Sequence, residues 1–352
     1  MIPERFTFAA LDYRSDATSL VWSSGAVDGP AATAAPDVWR YVPGDREPRL
    51  IFHNEYRDST VDLIEGNGAG DYVFVESNLN VYGPGTWRLW YLASGAAQPI
   101  LLDSGDDAHG LIPFIAMDGE RIVWAVNHGP ADPSRAVSQL LLATRTDPNP
   151  TVLDELPAEH QAFTFPDLDG SRLVYGVAEV VDPASSREEH RVYLRDLDDP
   201  GDEPRRLDDS GRAGMPAIAG EFVAWKENLA GDPLLQWGPT LVWQNLRTRE
   251  RGAIDEEWMH SYVGLGFNYP SIGDRFLAAW DPNHNSLYVF DLQERRPALV
   301  EDFGEEIEPP NRERLALRPH VRGSILAWTQ GSDLADRAAG PTLKYALLPV
   351  RD

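Results

Sequence analysis

The chain has no cysteine, no long apolar run and almost no lysine. Without cysteine, disulfide bonds, thiolate nucleophiles and cysteine-ligated metal centres are excluded. No apolar run reaches the roughly 18–20 residues of a membrane-spanning helix, so we expect no membrane insertion. Only Lys226 and Lys344 are lysines among 31 basic residues, which face 56 acidic ones. The formal net charge of −25 argues against nucleic acid as a partner, because phosphate backbones are bound by clustered lysine and arginine.

Length and composition place the chain among globular proteins. Of its 352 residues, 42% are hydrophobic and 25% are charged, which is the usual balance of a folded domain. The first residues, Met1 to Phe6, carry no basic stretch followed by an apolar one, so we expect no signal peptide in this chain. The compartment stays open: secreted or periplasmic if a leader has been removed, and cytoplasmic otherwise.

A short apolar run that ends in an aromatic residue recurs along the whole chain. Examples are Leu-Val-Trp at 20–22, Ile-Val-Trp at 122–124 and Val-Ala-Trp at 223–225. The runs follow one another at intervals of 53, 49, 51, 50, 55 and 48 residues. The seven aligned positions are Trp22, Val75, Trp124, Tyr175, Trp225, Trp280 and Trp328. Self-similarity at such a period is typical of a repeat architecture.

Each unit has the pattern of four short strands. A first segment, which often begins with proline, leads into a turn that contains glycine, as at Asp118-Gly119. Glycine between two short apolar runs favours a hairpin, because such turns need positive φ. The aromatic-ended strand follows, then an alternating third strand such as 88–91 and a shorter fourth strand such as 49–52.

Seven such units predict an all-β fold, a seven-bladed β-propeller of four-stranded antiparallel blades. The units use residues 1–352 as a single domain, with approximate blade boundaries at 5–57, 58–107, 108–158, 159–210, 211–258, 259–310 and 311–352. We expect residues 6–10 to form the innermost strand of the first blade, so that the last blade has three strands or is completed by the few residues before Phe6. In the competing arrangement, residues 6–10 cross to the last blade as a clasp, and the N-terminus closes the ring.

One form of the unit has proline, isoleucine and glycine before Val-Ala-Trp, and an alternating strand that ends in Asp-Leu follows it. This unit resembles the repeats of TolB-like and oligogalacturonate-lyase-like β-propellers. The best matches are 216–225, 270–280 and 319–328, with Tyr-Val-Phe-Asp-Leu at 288–292 for the later strand. The resemblance implies a propeller architecture. That superfamily includes interaction modules, peptidase-associated propellers and lyases, so the resemblance leaves the activity open.

Two sets of polar residues fall on the predicted face of the channel mouth, where the fourth-to-first and second-to-third connections of a propeller emerge. In the first set, His109 and His160 each lie 15 residues before the aligned aromatic residue of their unit, and Arg212 and His260 occupy the corresponding connections of the next two units. The three histidines are candidate ligands of a divalent metal ion such as calcium, manganese or zinc, or candidate catalytic bases and acids. Arg212 is the candidate partner of a substrate carboxylate. The alternative is that all four are polar loop residues facing water.

The second set consists of asparagines three residues after the aligned positions. These are Asn78, Asn127, Asn228 and Asn283, with Glu76, Glu179 and Glu227 nearby. In the structural interpretation, asparagine caps the end of a strand by bonding to nearby backbone. In the functional interpretation, the amides bind ligand hydroxyl groups, and aromatic residues of the sixth unit's long loop stack on the ligand. The ligand-binding candidates are Asn127, His128, Asn228, Trp258, Tyr262, Asn283 and His284.

We therefore predict a binding or interaction propeller, expected to be monomeric, that recognises a carbohydrate or a peptide or protein ligand at the channel mouth. The alternative is a carbohydrate-active lyase or hydrolase in which His109, His160, His260 and Arg212 surround a metal ion. In that mechanism the metal neutralises a uronate carboxylate, and a side chain removes the neighbouring proton.

Overall fold

The chain forms seven four-stranded antiparallel sheets, which confirms the predicted seven-bladed propeller. The computed structural model describes residues 6–7, 10–16, 18–24, 37–54, 59–78, 85–106, 112–128, 137–184, 187–199, 201, 203–229, 240–254, 270–281, 286–302, 317–330 and 342–348. All regular structure in these ranges is strand, and no helix long and apolar enough to cross a membrane occurs in them.

The strand β1 (Phe6–Thr7) belongs to blade 7, and the next strands fill the blades in chain order. Blade 1 contains β2 (Ala10–Ser15), β3 (Leu20–Ser24), β4 (Asp37–Tyr41) and β5 (Arg49–Phe52). Blade 2 contains β6 (Thr60–Gly66), β7 (Tyr72–Ser77), β8 (Thr86–Leu92) and β9 (Ile100–Asp106). Blade 3 contains β10 (Phe114–Asp118), β11 (Arg121–His128), β12 (Val137–Thr144) and β13 (Thr151–Pro157).

The remaining blades follow the same plan. Blade 4 contains β14 (Gln161–Asp169), β15 (Arg172–Asp182), β16 (Arg187–Asp196) and β17 (Arg205–Arg206). Blade 5 contains β18 (Ala213–Ala219), β19 (Phe222–Glu227), β20 (Thr240–Asn245) and β21 (Arg251–Ile254). Blade 6 contains β22 (Ser271–Gly273), β23 (Phe276–Asp281), β24 (Ser286–Asp291) and β25 (Arg296–Asp302). Blade 7 contains β26 (Leu317–Arg322), β27 (Ile325–Gln330) and β28 (Thr342–Leu347), together with β1.

The ring is closed by the N-terminal strand. Phe6 and Thr7 pair with Leu343 and Thr342 at the outer edge of blade 7, where β28 would otherwise present an open edge. The expectation that residues 6–10 form the inner strand of blade 1 is therefore wrong, because that strand is Ala10–Ser15. The competing clasp arrangement is observed instead, and Phe6 and Thr7 are the residues that pair with blade 7.

The first strands of the seven blades line the central channel. Each contacts the first strand of the next blade, and β2 contacts β26, so the inner ring is continuous. The predicted hairpin turns at the ends of these strands are also present. Glycine takes positive φ between 53° and 62° in the turns of blades 3, 4, 5 and 7, and Asp274 takes φ 50° in blade 6.

The hydrophobic core lies between neighbouring blades rather than inside a single layer. The second strand of blade 2 is covered on both faces: all six residues of β7 are buried, and the first four, at 72–75, form a continuous apolar run. The third strand β8 shows alternation instead, with Trp87, Leu89 and Tyr91 buried. Between blades 7 and 1, Trp22 packs in one cluster with Ile325 and Leu343, so side chains close the ring as well as backbone pairing.

Candidate functional site

The antiparallel order of the strands gives the propeller two distinct faces. The face at the ends of the second strands, near His128, Asp182 and Glu227, is called the loop face here. The opposite face carries the turns between first and second strands, such as those at Gly119 and Gly170, and is called the turn face. Among the predicted site residues that the structure describes, Asn127, His128 and Asn228 lie at the loop-face ends of second strands.

The predicted histidine and arginine set is not assembled by the described residues. His109 and His260 lie outside the described residues. His160 follows β13, and its half-exposed imidazole has Nε2 3.6 Å from Oε1 of Glu159. Arg212 forms a bridge with His190 and accepts a backbone hydrogen bond from Asn228. No group of three metal-ligating side chains is found within the described part of the chain.

The asparagine set divides into capping residues and residues whose role stays a prediction. Oδ1 of Asn78 accepts hydrogen bonds from the backbone N–H of Thr86 at 2.6 Å and from its hydroxyl at 3.0 Å, as the capping interpretation requires. Asn228 is buried, whereas Asn127 carries a buried Oδ1 that has no hydrogen-bond partner among the described residues. His128 ends β11. Four further candidates lie outside the described ranges: Trp258, Tyr262, Asn283 and His284.

Three glutamates near the asparagine set are each held by an arginine of their own blade. The pairs are Glu76 with Arg88 at 3.4 Å, Glu179 with Arg191 at 2.7 Å and Glu227 with Arg251 at 2.5 Å. Indole N–H groups add a second anchor, because Trp90 and Trp225 donate to Glu76 and Glu227 at 3.0 and 2.9 Å. These carboxylates therefore brace their blades.

The hairpin of blade 4 extends further on the loop face than its counterparts. The strands β15 and β16 have 11 and 10 residues, whereas the second strands of blades 1, 2, 5, 6 and 7 have five or six. Pairing continues out to Asp182 and Arg187. Arg191 stiffens the extension, since it binds both Glu179 and Glu189 at 2.7 Å. The sequence pattern missed this feature because alternation alone does not give strand length.

A cavity of about 310 Å³ lies in the channel toward the turn face. Its walls come from the first strands of blades 2 to 7, and none of the predicted site residues lines it. Apolar side chains include Phe114, Phe165 and Met215. The two phenylalanine rings, from neighbouring blades, are 4.2 Å apart between centroids.

Charged groups gather at the turn-face end of this cavity. Nη2 of Arg322, in blade 7, lies 2.6 Å from Oδ1 of Asp118 in blade 3, and Nη1 lies 4.0 Å from Oε2 of Glu65 in blade 2. The carboxyl group of Asp167, in blade 4, is partly buried and accepts backbone N–H groups from Ile218 at 2.8 Å and Leu168 at 2.9 Å. Arg322 therefore ties blade 7 across the channel to blades far away in sequence.

The comparisons with known proteins agree with the fold. The sequence matches no protein-family model, and no curated protein matches it significantly. Among solved structures, an oligogalacturonate lyase in complex with manganese aligns over 98% of this chain and 96% of its own, with a TM-score of 0.58 and 11% identity. The β-propeller domain of the Trilobed protease from Pyrococcus furiosus, described as having an open velcro topology, aligns over 99% and 97%, with a TM-score of 0.60 and 10% identity.

A third similar structure is larger than this chain. A prolyl endopeptidase aligns over 97% of this chain but only 49% of its own length, with a TM-score of 0.59 and 12% identity. At such identities the likeness shows the β-propeller architecture and leaves activity open. The neighbours include a lyase and peptidases, so the predicted resemblance is confirmed at the level of architecture.

Burial raises the pKa of Asp167 to about 7, against the opposing effects of Arg322 and the two N–H donors. The unfolded chain releases this proton near pH 3.8 and the folded chain near pH 7, so this group makes folding less favourable as pH rises through that window. We expect Asp167→Asn to lack this loss. Relative to the wild type, its free energy of unfolding should rise by about 1.4 kcal/mol per pH unit across the window and then level off.

Urea denaturation at a series of pH values measures this difference. The variant also loses an acceptor of backbone N–H groups, which shifts its free energy of unfolding by the same amount at every pH. The quantity to compare is therefore the slope of the free energy of unfolding against pH. Asp198→Asn, at a side chain that is 68% exposed, is the control and should run parallel to the wild type. Parallel curves for Asp167→Asn would show that the carboxyl group ionises normally in the folded protein.

Proposed function

We propose that this protein is a binding propeller that takes a peptide segment on the loop face, at blades 4 and 5. The observation that carries the proposal is the extended hairpin of blade 4. Loops and hairpins that are elongated on one face of a rigid repeat scaffold are the usual way in which such folds build a binding surface.

Two exposed aliphatic side chains lie on this part of the loop face. Val181, near the hairpin tip, and Leu229, just after β19, are 39% and 51% exposed. The segment Gly211–Arg212 links β16 to the residue after β19, because its carbonyl groups accept the N–H of His190 at 2.9 Å and of Asn228 at 3.0 Å. Exposed aliphatic side chains on hydrogen-bonded strands suit contacts with the side chains of an extended peptide.

A peptide fits this surface better than a carbohydrate. Sugar rings are typically held by stacking on exposed aromatic faces, and the large apolar side chains exposed in the described residues are all aliphatic. The stacking candidate Trp258 lies outside those residues. For the lyase or hydrolase alternative, His160 pairs with Glu159 at the surface, and the other two candidate ligands, His109 and His260, lie outside the described residues.

Binding to an immobilised random peptide array, with a glycan array in parallel, tests the proposal. We expect peptide hits whose affinity falls about tenfold or more in Val181→Asp and in Leu229→Asp, since each places a charge in the apolar contact. Val152→Asp, at an outer strand residue that is 53% exposed, is the matched control and should bind normally.

Two results would reject the peptide proposal. One is a set of hits on the glycan array alone. The other is a stoichiometric metal ion in the purified protein, together with activity on uronate polymers, which would favour the lyase alternative.

A further inference from the structure

The turn between the first two strands of blade 2, residues 66–71, packs against blade 1 on the turn face and is called the blade 2 turn below. The hydroxyl group of Thr18, in blade 1, donates a hydrogen bond to the carbonyl oxygen of Gly68 at 2.8 Å. A Cβ atom at Gly68 would lie 2.7 Å from the backbone oxygen of Asp16, so the two segments are in direct contact. This packing brings Arg40 of blade 1 beside the blade 2 turn.

Two polar side chains from different blades approach Gly70 of the blade 2 turn. A Cβ atom at Gly70 would lie 3.0 Å from Oγ of Ser94, in blade 2, and 3.7 Å from Nη1 of Arg40, in blade 1. Gly70 takes φ 91°, a conformation that residues with a side chain rarely adopt. The hydroxyl and guanidinium groups therefore lie close together beside a stretch of backbone that carries no side chain.

The hydrogen-bond donors at this place are largely unused. Within the described ranges, no acceptor is found for Oγ of Ser94, for either Nη atom of Arg40 or for the backbone N–H of Gly70. Gly70 is buried, and a buried backbone N–H group without an acceptor is rare in folded proteins. These three residues therefore offer hydrogen-bond donors to a ligand.

Both side chains are held in position through other atoms of the same residues. Nε of Arg40 donates to Oγ of Ser19 at 3.0 Å, which leaves the edge with the two Nη groups for a ligand. The backbone N–H of Ser94 donates to Oδ1 of Asp71 at 2.6 Å. Groups that are fixed before a ligand arrives lose less conformational entropy when it binds.

The carboxylate of Asp71, next to this place, already serves other donors. Its Oδ2 accepts Nδ2 of Asn67 at 2.9 Å, and Nε of Arg145 lies 3.5 Å from the same oxygen. The hydroxyl group of Tyr91 interacts electrostatically with Asp71, is buried, and has no hydrogen-bond partner in the part of the chain that the structure describes. The blade 2 turn is therefore rich in donors, and an acceptor from outside the chain suits it.

We infer that the turn face binds a carboxylate group beside Gly70, between blades 1 and 2. One carboxylate oxygen accepts from the Nη groups of Arg40, and the other accepts from the hydroxyl of Ser94 and the N–H of Gly70. The planar edge of a guanidinium group matches a carboxylate in shape and in charge. A single negative charge fits better than the two charges of a phosphate ester, because the carboxylates of Asp16 and Asp71 are already bonded to the residues that hold the site.

Saturation-transfer NMR titrations of the full chain with acetate and with N-acetylalanine test the inference, and N-acetylalanine amide is the neutral counterpart. We expect both acids to bind and the amide not to bind. Equal affinities of the two acids would identify a small organic acid as the ligand class. Binding of N-acetylalanine that is tighter by about tenfold or more would identify the C-terminal carboxylate of a peptide.

Two variants test the residues that hold the carboxylate. Arg40→Gln should weaken acetate binding by about tenfold or more, and Ser94→Ala, which removes one hydrogen bond, by about fivefold. Arg49→Gln removes the same charge from a side chain of blade 1 that is 76% exposed, so it is the matched control and should leave binding unchanged. Melting temperatures establish that the variants are folded. Ser94→Ala carries the test if Arg40→Gln is not folded, because Oγ of Ser94 has no partner among the described residues to lose.

Three results would overturn the inference. The first is that neither acid binds, or that the amide binds as tightly as the acid. The second is acetate binding that neither Arg40→Gln nor Ser94→Ala weakens. The third is binding of inorganic phosphate about tenfold tighter than that of acetate, which would make this a phosphate site. The loop-face variants Val181→Asp and Leu229→Asp should leave acetate binding unchanged, so this inference and the peptide proposal fail independently.

Discussion

Replacing Trp225 with alanine is expected to lower the free energy of unfolding by about 4 kcal/mol. The indole is fully buried between blades 4 and 5, where it packs with Val174, Val192 and Ile218. Deleting it removes a large apolar surface and leaves a space that strands on both sides cannot fill without moving. The measurement is urea denaturation at neutral pH, and Val152→Ala, on an exposed outer strand, is the control with an expected change below about 0.5 kcal/mol.

The indole of Trp225 also makes polar contacts, and replacing it with phenylalanine separates their effect on stability from the effect of packing. Nε1 of Trp225 donates to Glu227 at 2.9 Å, and the guanidinium of Arg251 lies over the ring at 5.1 Å while it binds the same carboxylate. Trp225→Phe keeps most of the packing and loses the N–H donor, so we expect a smaller loss of about 1–2 kcal/mol. If both variants lose the same amount, packing does not control this site and the hydrogen bond does.

The position of Trp225 was predictable from the sequence because it belongs to the repeat. The first residues of a second strand are covered on both faces and are therefore apolar, and this gives the recurring runs that end in Trp22, Trp124 and Trp225. The turns were predictable for a similar local reason, since a tight hairpin requires positive φ. Local rules of this kind determine blade number and strand order.

Ring closure was not predictable in the same way. Residues 6–15 contain two adjacent strand segments, and either one satisfies the local pattern for the first blade. The choice depends on pairing between Phe6 and Leu343, at opposite ends of the chain. Only the three-dimensional ring brings these residues together.

The charged end of the channel was missed for a related reason. Asp167 and Asp169 resemble part of a calcium loop in sequence, and Arg322 resembles an ordinary turn residue. Their roles follow from contacts between blades, since Arg322 and Asp118 are 204 residues apart. The repeat places one residue of each blade at the same height in the channel, but the sequence alone does not show which of these side chains meet.

Replacing Arg322 with methionine is therefore expected to destabilise the fold through the carboxylates it leaves behind. The side chain is 16% exposed, and its removal takes away the guanidinium group that pairs with Asp118 and that lowers the pKa of Asp167. Breaking a buried ion pair by removing one partner costs about 3–5 kcal/mol, and we expect a loss in this range at pH 8. Arg295→Met, which breaks the exposed pair with Glu250, is the control and should cost less than about 1 kcal/mol.

The pH dependence of this loss separates electrostatics from packing. Arg322 lowers the pKa of the Asp167 carboxyl group, so its removal raises that pKa. At acidic pH Asp167 is protonated in both proteins, and the guanidinium group then has no charge on Asp167 to stabilise. The difference in free energy of unfolding between wild type and Arg322→Met should accordingly shrink at acidic pH. A packing defect would persist at every pH, because methionine fills the same space regardless of protonation. A difference that stays constant from pH 5 to pH 8 would therefore show that Arg322 supports the channel by its volume and not by its charge.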